Sequence, residues 1–196
     1  MNNYIKDQIK KSYETKQLIY ENESLVNKIK EVIILCVELY EKGLNKTILA
    51  GNGGSAADAQ HIAAELVGRY GFDRPSLPSL ALTTDTSNIT AIGNDYGYDK
   101  IFSRQLEGMG QKGDIFIGIS TSGNSKNIIN AFECAKEKGI KTVALVGRDG
   151  GEMAKIADIS LIVPSDSTPR IQESHILIGH IICDIIEKEL FGSKVN

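Results

Sequence analysis

The chain has 196 residues, 41% of them hydrophobic and 24% charged, with a formal net charge of -3. Those values suit one folded core of ordinary size, and the slight negative charge argues against nonspecific attraction to nucleic acid or acidic lipid. No apolar run reaches the roughly 18 residues of a membrane span, the start MNNYIKDQIKKSYETK is too polar for a secretion signal, and Cys36, Cys134 and Cys183 match no CxxC spacing, so reduced thiols in a cytoplasmic protein are expected.

Residues 3–43 read as one helix, free of Pro and with Gly43 at the end as a cap. Leu25, Ile29, Val32, Cys36 and Leu39 form one stripe, and Val26, Ile33 and Tyr40 form a second beside it. The first stripe is expected to cover a sheet and the second to meet another subunit, although both could be buried within one chain. From Lys46 onward the pattern alternates. Short apolar runs at Thr47–Ala50, Leu80–Thr83, Ile115–Ile119, Thr142–Val146 and Ile159–Val163 read as strands buried on both faces. Helical segments between and after them include 55–70, 125–138 and 170–191. This order predicts a single-domain α/β protein, a parallel sheet of five strands with helices on both faces and an N-terminal helical extension over 1–43. On such sheets ligands bind beyond the carboxyl ends of the strands.

Two loops lie at those ends. Gly51-Asn52-Gly53-Gly54-Ser55-Ala56 follows the first strand and opens a helix, where free N–H groups and the positive dipole end suit an anion. Ser55 is expected to cap that helix, with Asp58 three residues on. The same six residues fit a dinucleotide fingerprint, with Asp85 as the later acid, or a plain tight turn. The second loop, Ser120-Thr121-Ser122-Gly123-Asn124-Ser125, decides among these. It places four hydroxyls within six residues at another strand-to-helix junction, a set of neutral donors suited to a phosphate monoester.

His61 and Glu65 share one helical face at a spacing of four, close enough for a shared metal ion or a carboxylate–imidazole hydrogen bond. Gln172, His175 and His180 lie on the last helix, whose middle is apolar nearly all round and is therefore expected to be buried. A histidine there must be neutral and hydrogen-bonded, or bound to something. His180 is the preferred partner of Glu65, with His175 as the alternative. A carboxylate and an imidazole are suited to proton transfer next to a carbonyl, and zinc held by nitrogen and oxygen ligands is chemically compatible, though spacing alone does not show it.

Taken together, GNGGSAADAQHIAAELVGRY (51–70), GNDYGYD (93–99), STSGNS (120–125) and RIQESHILIGH (170–180) resemble the phosphoheptose isomerase family of the sugar isomerase (SIS) superfamily. The resemblance runs over nearly the whole chain. It implies a three-layer flavodoxin-like fold in a cytoplasmic homotetramer. It also implies conversion of D-sedoheptulose 7-phosphate to D-glycero-D-manno-heptose 7-phosphate through an enediol, a step toward ADP-heptose for lipopolysaccharide or another surface polysaccharide. Carried over by position, Ser55, Ser120, Thr121, Ser122 and Ser125 would take the phosphate, and Asn52, Gly53, Gly54, Asn94 and Asp95 the sugar, with Glu65 and Gln172 also at the substrate. His61, Glu65, Gln172 and His180 would hold one Zn2+ per subunit, and Glu65 and His180 would be the acid–base pair. Some members carry an acid just before the position of Arg170, where this chain has Pro169, so help from that acid is missing. A non-catalytic relative that supports replication through protein contacts keeps both loops but lacks the acid and the last histidine, both present here. No nucleic-acid or membrane partner is implied.

Overall fold

The computed structural model describes residues 1–192. Where one helix was expected over 3–43 there are two, α1 (Asn2–Tyr20) and α2 (Glu23–Lys42). The break is local chemistry: the Asn22 side chain accepts from the Leu25 backbone N–H at 3.0 Å and so starts a new helix. Gly43, at φ 69, ends α2 as expected.

The chain continues through β1 (Thr47–Gly51), α3 (Gly54–Val67), β2 (Ser79–Ala81), α4 (Thr86–Tyr96), a 3-10 turn (Tyr98–Lys100) and α5 (Ser103–Met109). It then runs through β3 (Ile115–Ser120), α6 (Lys126–Glu137), β4 (Lys141–Gly147), α7 (Gly151–Ile156), β5 (Ile159–Val163) and α8 (Thr168–Phe191). All five expected strands are present. Helices α4, α5 and α7 were not anticipated. They are short, and α4 has no buried residue, so no apolar stripe announces it.

The strands pair in parallel in the order β2-β1-β3-β4-β5. Their side chains alternate between two cores. Leu49, Ile115, Ile117, Ile119, Val143 and Leu145 face α2, α3 and α8, while Ile48, Ala50, Phe116, Ala144 and Val146 face α5, α6 and α7. Because β1 leads to a helix on one face and β3 to a helix on the other, a crevice opens between their carboxyl ends. Both loops singled out in the sequence lie there.

The two stripes of α2 do not divide as expected. Ile33 and Tyr40 are buried with the first stripe, and only Val26 is exposed. The apolar surface left free is mainly on α1: Tyr4, Ile5, Ile9, Tyr13 and Leu18. Cys36 and Cys183 are buried, with their thiols pushed up to about 12 by desolvation, and Cys134 is half-buried; all three are free.

His175 is fully buried on α8, with no well-formed hydrogen bond at either ring nitrogen and only a loose contact with the Val146 backbone. Burial lowers its pKa to about 4, so it is neutral in the fold and acts as a packed ring. In the unfolded chain it takes up a proton near pH 6.5, so stability is expected to fall as pH drops from about 6.5 toward about 4, by up to about 3 kcal/mol. Denaturant unfolding across that range checks this, and His175→Leu should flatten that part of the profile.

Candidate active site

The glycine loop connects β1 to α3 through Gly53, which has φ 54 and precedes the first helical residue. Ser55 does not cap the helix: the cap position is Gly53, with no side-chain hydrogen bond, and Ser55 lies inside the first turn, 3% exposed. Its hydroxyl is therefore free of capping duty. With no Cβ at Gly54, the Gln172 amide from α8 comes close to the backbone at the start of α3, and a side chain there would displace it.

In the serine loop, Ser120 Oγ lies 3.0 Å from Ser125 Oγ and 3.5 Å from Ser122 Oγ. Ser125 stands at the N-terminus of α6 yet makes no side-chain cap bond. The hydroxyls of Ser120 and Ser125 face each other around a helix mouth, and Ser122 Oγ accepts from the Asn124 N–H at 3.2 Å, so the hydroxyl protons remain as donors for an anion. Gly123, at φ 66, packs against the backbone of Gly150 and Gly151, so no side chain fits at that turn. Thr121 is half-buried beside these residues.

The second cluster lies between α3 and α8. His61 Nε2 is 2.9 Å from His180 Nε2 and 3.2 Å from Glu65 Oε1. One nitrogen or oxygen from each of the three residues lies within 4.8 Å of the others. Two imidazole nitrogens that close can share one proton, or both can turn lone pairs to one cation. Two nitrogens and a carboxylate oxygen are a donor set that zinc takes readily. Asp58, one turn before His61, was read from the sequence only as a capping partner. Burial pushes it up to about 6, against the opposing influence of His61, and its Oδ2 is buried without a hydrogen bond. Its spacings of three to His61 and seven to Glu65 were the available signal.

Sequence reasoning did not find what holds α3 and α8 in register. Glu187 on α8 accepts from the backbone N–H groups of Tyr70, Gly71 and Phe72 at 2.8, 2.5 and 3.1 Å, and from Arg74 Nε at 2.9 Å. Arg74 in turn donates to the Glu65 carbonyl at 2.8 Å and the Leu66 carbonyl at 2.7 Å, capping the end of α3. The Glu187 and Arg74 side chains are each 1% exposed. Burial alone would raise the Glu187 pKa, but the three N–H groups and the guanidinium outweigh it and lower the value.

Of the expected metal ligands, His61, Glu65 and His180 come together, and the Gln172 amide reaches from α8 to Gly54 at the start of α3. Asn94 and Asp95 lie exposed at the end of α4, bonded to each other at 2.8 Å. Asp85, the acid a dinucleotide site would need, caps α4 by accepting from the Asn88 N–H at 2.9 Å.

A doubly wound parallel sheet with hydroxyl-lined loops at its switch point defines the sugar isomerase class, and the sequence profile described as "SIS domain" matches residues 12–147. The phosphoheptose isomerase of Sulfurimonas denitrificans is 83% identical over 196 residues, 100% of both chains. That of Aneurinibacillus thermoaerophilus is 60% identical over 194 residues, 99% of this chain and 98% of the other. Among solved structures, phosphoheptose isomerase GmhA from Neisseria gonorrhoeae superposes with a TM-score of 0.89 at 43% identity, covering 95% of this chain and 98% of that one. A phosphoheptose isomerase from Francisella tularensis gives 0.91 at 38% identity, covering 95% and 97%. The chain belongs to the phosphoheptose isomerase family.

The Arg74–Glu187 pair yields a stability prediction. Glu187→Ala leaves a buried guanidinium and three backbone N–H groups without their acceptor, so denaturant unfolding should show a loss of about 3–5 kcal/mol. Because the carboxyl is held below its ordinary range, its contribution is present above that range and should fade as pH falls through it.

Proposed function

We propose that the chain is an aldose–ketose isomerase that converts D-sedoheptulose 7-phosphate to D-glycero-D-manno-heptose 7-phosphate, supplying a precursor of activated heptose for surface polysaccharide. The observation that carries this reading is the convergence of Glu65 and His180 on His61, with His61 and His180 119 residues apart, in a chain whose switch-point loops carry the Ser55 hydroxyl and the four hydroxyls of residues 120–125. The non-catalytic relative lacks that carboxylate and imidazole.

In this reading Ser55, Ser120, Thr121, Ser122 and Ser125 hold the phosphate with neutral donors and two helix mouths. They offer no fixed cation, so the dianion can leave after turnover. Asn52, Gly53, Gly54, Asn94, Asp95 and Gln172 line the sugar. Binding of the phosphate orients the reacting carbons. Glu65 and His180 then take a proton from C1 of the ketose and return one at C2, through an enediol, with the O–H proton moving between the two oxygens. His61, Glu65 and His180 are the residues proposed to hold zinc. Two histidines, one glutamate and an open position form a catalytic rather than a closed structural set. When bound, zinc would supply Lewis-acid polarisation of the sugar carbonyl.

We further propose that a homotetramer completes these sites, with the acid–base cluster of one subunit serving the phosphate loops of a neighbour. Two features support this. His61 lies six residues past Ser55, about 9 Å of helix rise, and among the described residues no hydrogen bond links the cluster to residues 120–125. The exposed apolar face of α1 also offers a docking surface. Among the described residues no helix is long and apolar enough to cross a membrane.

Incubation with sedoheptulose 7-phosphate, with the product identified by NMR before and after chelation, tests substrate, reaction and metal together. The aldoheptose 7-phosphate is the expected product, and its absence from metal-replete protein would reject the assignment. Glu65→Gln should retain sugar phosphate binding and lower turnover by ~10²-fold or more; near-normal turnover would remove Glu65 from the chemistry.

A further inference from the structure

Beyond the residues assigned above, one buried polar group spans both phosphate-binding turns. Asn127 lies in the first turn of α6, directly after the serine loop, and is 3% exposed. Its amide pairs head-to-tail with that of Asn52 in the glycine loop: Asn52 Nδ2 donates to Asn127 Oδ1 and Asn127 Nδ2 donates to Asn52 Oδ1, each at 2.9 Å. Asn52 Oδ1 accepts a second hydrogen bond, from the Tyr98 hydroxyl at 2.9 Å. Tyr98 belongs to the 3-10 turn after α4, which is itself fastened to α6: Lys126 Nζ lies 3.0 Å from Asp99 Oδ2, and Asn130 Nδ2 donates to the Asp99 carbonyl at 2.8 Å. Three chain segments far apart in sequence thus meet on one pair of amides.

The pairing changes what Asn52 can do. Its side-chain oxygen already takes two donors and its nitrogen has one N–H left, so it has little capacity to accept from a sugar hydroxyl. Its oxygen and one N–H are committed to the protein. In parallel strands β1 and β3, residues 51 and 119 are register partners, so the two loops leave the sheet side by side. Beyond that point the amide pair links them directly, side chain to side chain. A cradle made of hydroxyls and backbone N–H groups from two separate loops binds a phosphate well only if the loops keep their spacing before the ligand arrives.

We propose that Asn127 is a positioning residue, which through its amide pair with Asn52 and the Tyr98 hydroxyl above it locks the glycine loop to the serine loop and sets the width of the phosphate cradle. This rests on the proposed reading of those loops as the phosphate site. Asn127 touches no reacting atom, so its loss should weaken binding of the phosphate end and leave the proton-transfer step largely intact.

The test combines hydrogen exchange of residues 51–56 and 120–127 with steady-state kinetics on sedoheptulose 7-phosphate, in the intact protein. For Asn127→Ala, exchange should rise about tenfold in both loops, since local opening no longer breaks the amide pair. KM should rise about tenfold, with kcat kept within about threefold. Tyr98→Phe removes only a hydroxyl from a ring that is 61% exposed, so the fold is retained, and KM should rise about threefold. The Asn52→Ala/Asn127→Ala double variant should be no worse than the poorer single variant, because the two amides act as a unit. Unchanged exchange in the glycine loop of a folded Asn127→Ala protein would overturn the proposal, as would a fall in kcat at constant KM. Should Asn127→Ala fail to fold, an unchanged KM in Tyr98→Phe would do the same. Failure of the wild-type protein to turn over this sugar phosphate would reject the functional reading instead, and the exchange comparison would still decide the clamp.

Discussion

Glu187 and Arg74 share a buried contact from which the geometry of the acid–base cluster follows. The carboxylate collects three successive backbone N–H groups, from Tyr70 to Phe72, while the guanidinium beside it takes the carbonyls at the end of α3. One ion pair therefore closes a helix, orders the loop after it and fixes that loop to α8. Burying two charges this thoroughly is tolerable only because nearly every donor and acceptor is matched. The consequence is positional. Glu65 supplies both a backbone carbonyl to Arg74 and a side chain to the cluster, so the register that the pair imposes reaches His61 and His180 within two turns of helix. Gly179 helps by letting Ile62 pack directly against α8, since a Cβ at that position would collide with the isoleucine side chain.

The site has two ends built on different physics. In the proposed reading, the phosphate end uses neutral hydroxyls, backbone N–H groups and helix mouths at the switch point of the sheet, all held by short loops between rigid elements. The acid–base end uses two imidazoles and a carboxylate on the flanks of two packed helices, partly open to solvent. On that reading, separating the two lets the first bind by a remote handle while the second handles protons. It also leaves a gap along α3 that an assembly of subunits is suited to close.

Tight turns at the phosphate end carry a packing requirement as well as a chemical one. Gly123 meets the backbone of Gly150 and Gly151, and Asn124 Oδ1 accepts the Glu152 N–H at 3.0 Å, so the loops after β3 and β4 support each other. Together with the Asn52–Asn127 pair, this fastens the serine loop on both sides, to the β1 loop and to the β4 loop.

The amino-acid order was sufficient for much of this. Five apolar strand runs alternating with helices required a parallel sheet, and strand ends pointed to the glycine and serine loops, because these signals depend only on neighbours along the chain. The four-residue spacing of His61 and Glu65 placed them on one face for the same reason. The Asn22 break between α1 and α2 was legible in principle, since an Asn before a Glu at a helix start is a local cap, yet the absence of any Pro or Gly before Gly43 concealed it. Other features were not in the sequence to be read. That His180 rather than His175 meets His61, that the Gln172 amide lies against Gly54, and that Arg74 finds Glu187 all depend on how α8 slides and rotates against α3. Helical periodicity gives the face a residue occupies, but not the height at which two helices meet. Only the packing of Ile62 on Gly179 and the closing of a buried ion pair fixed that height, and with it the group of side chains that can act together.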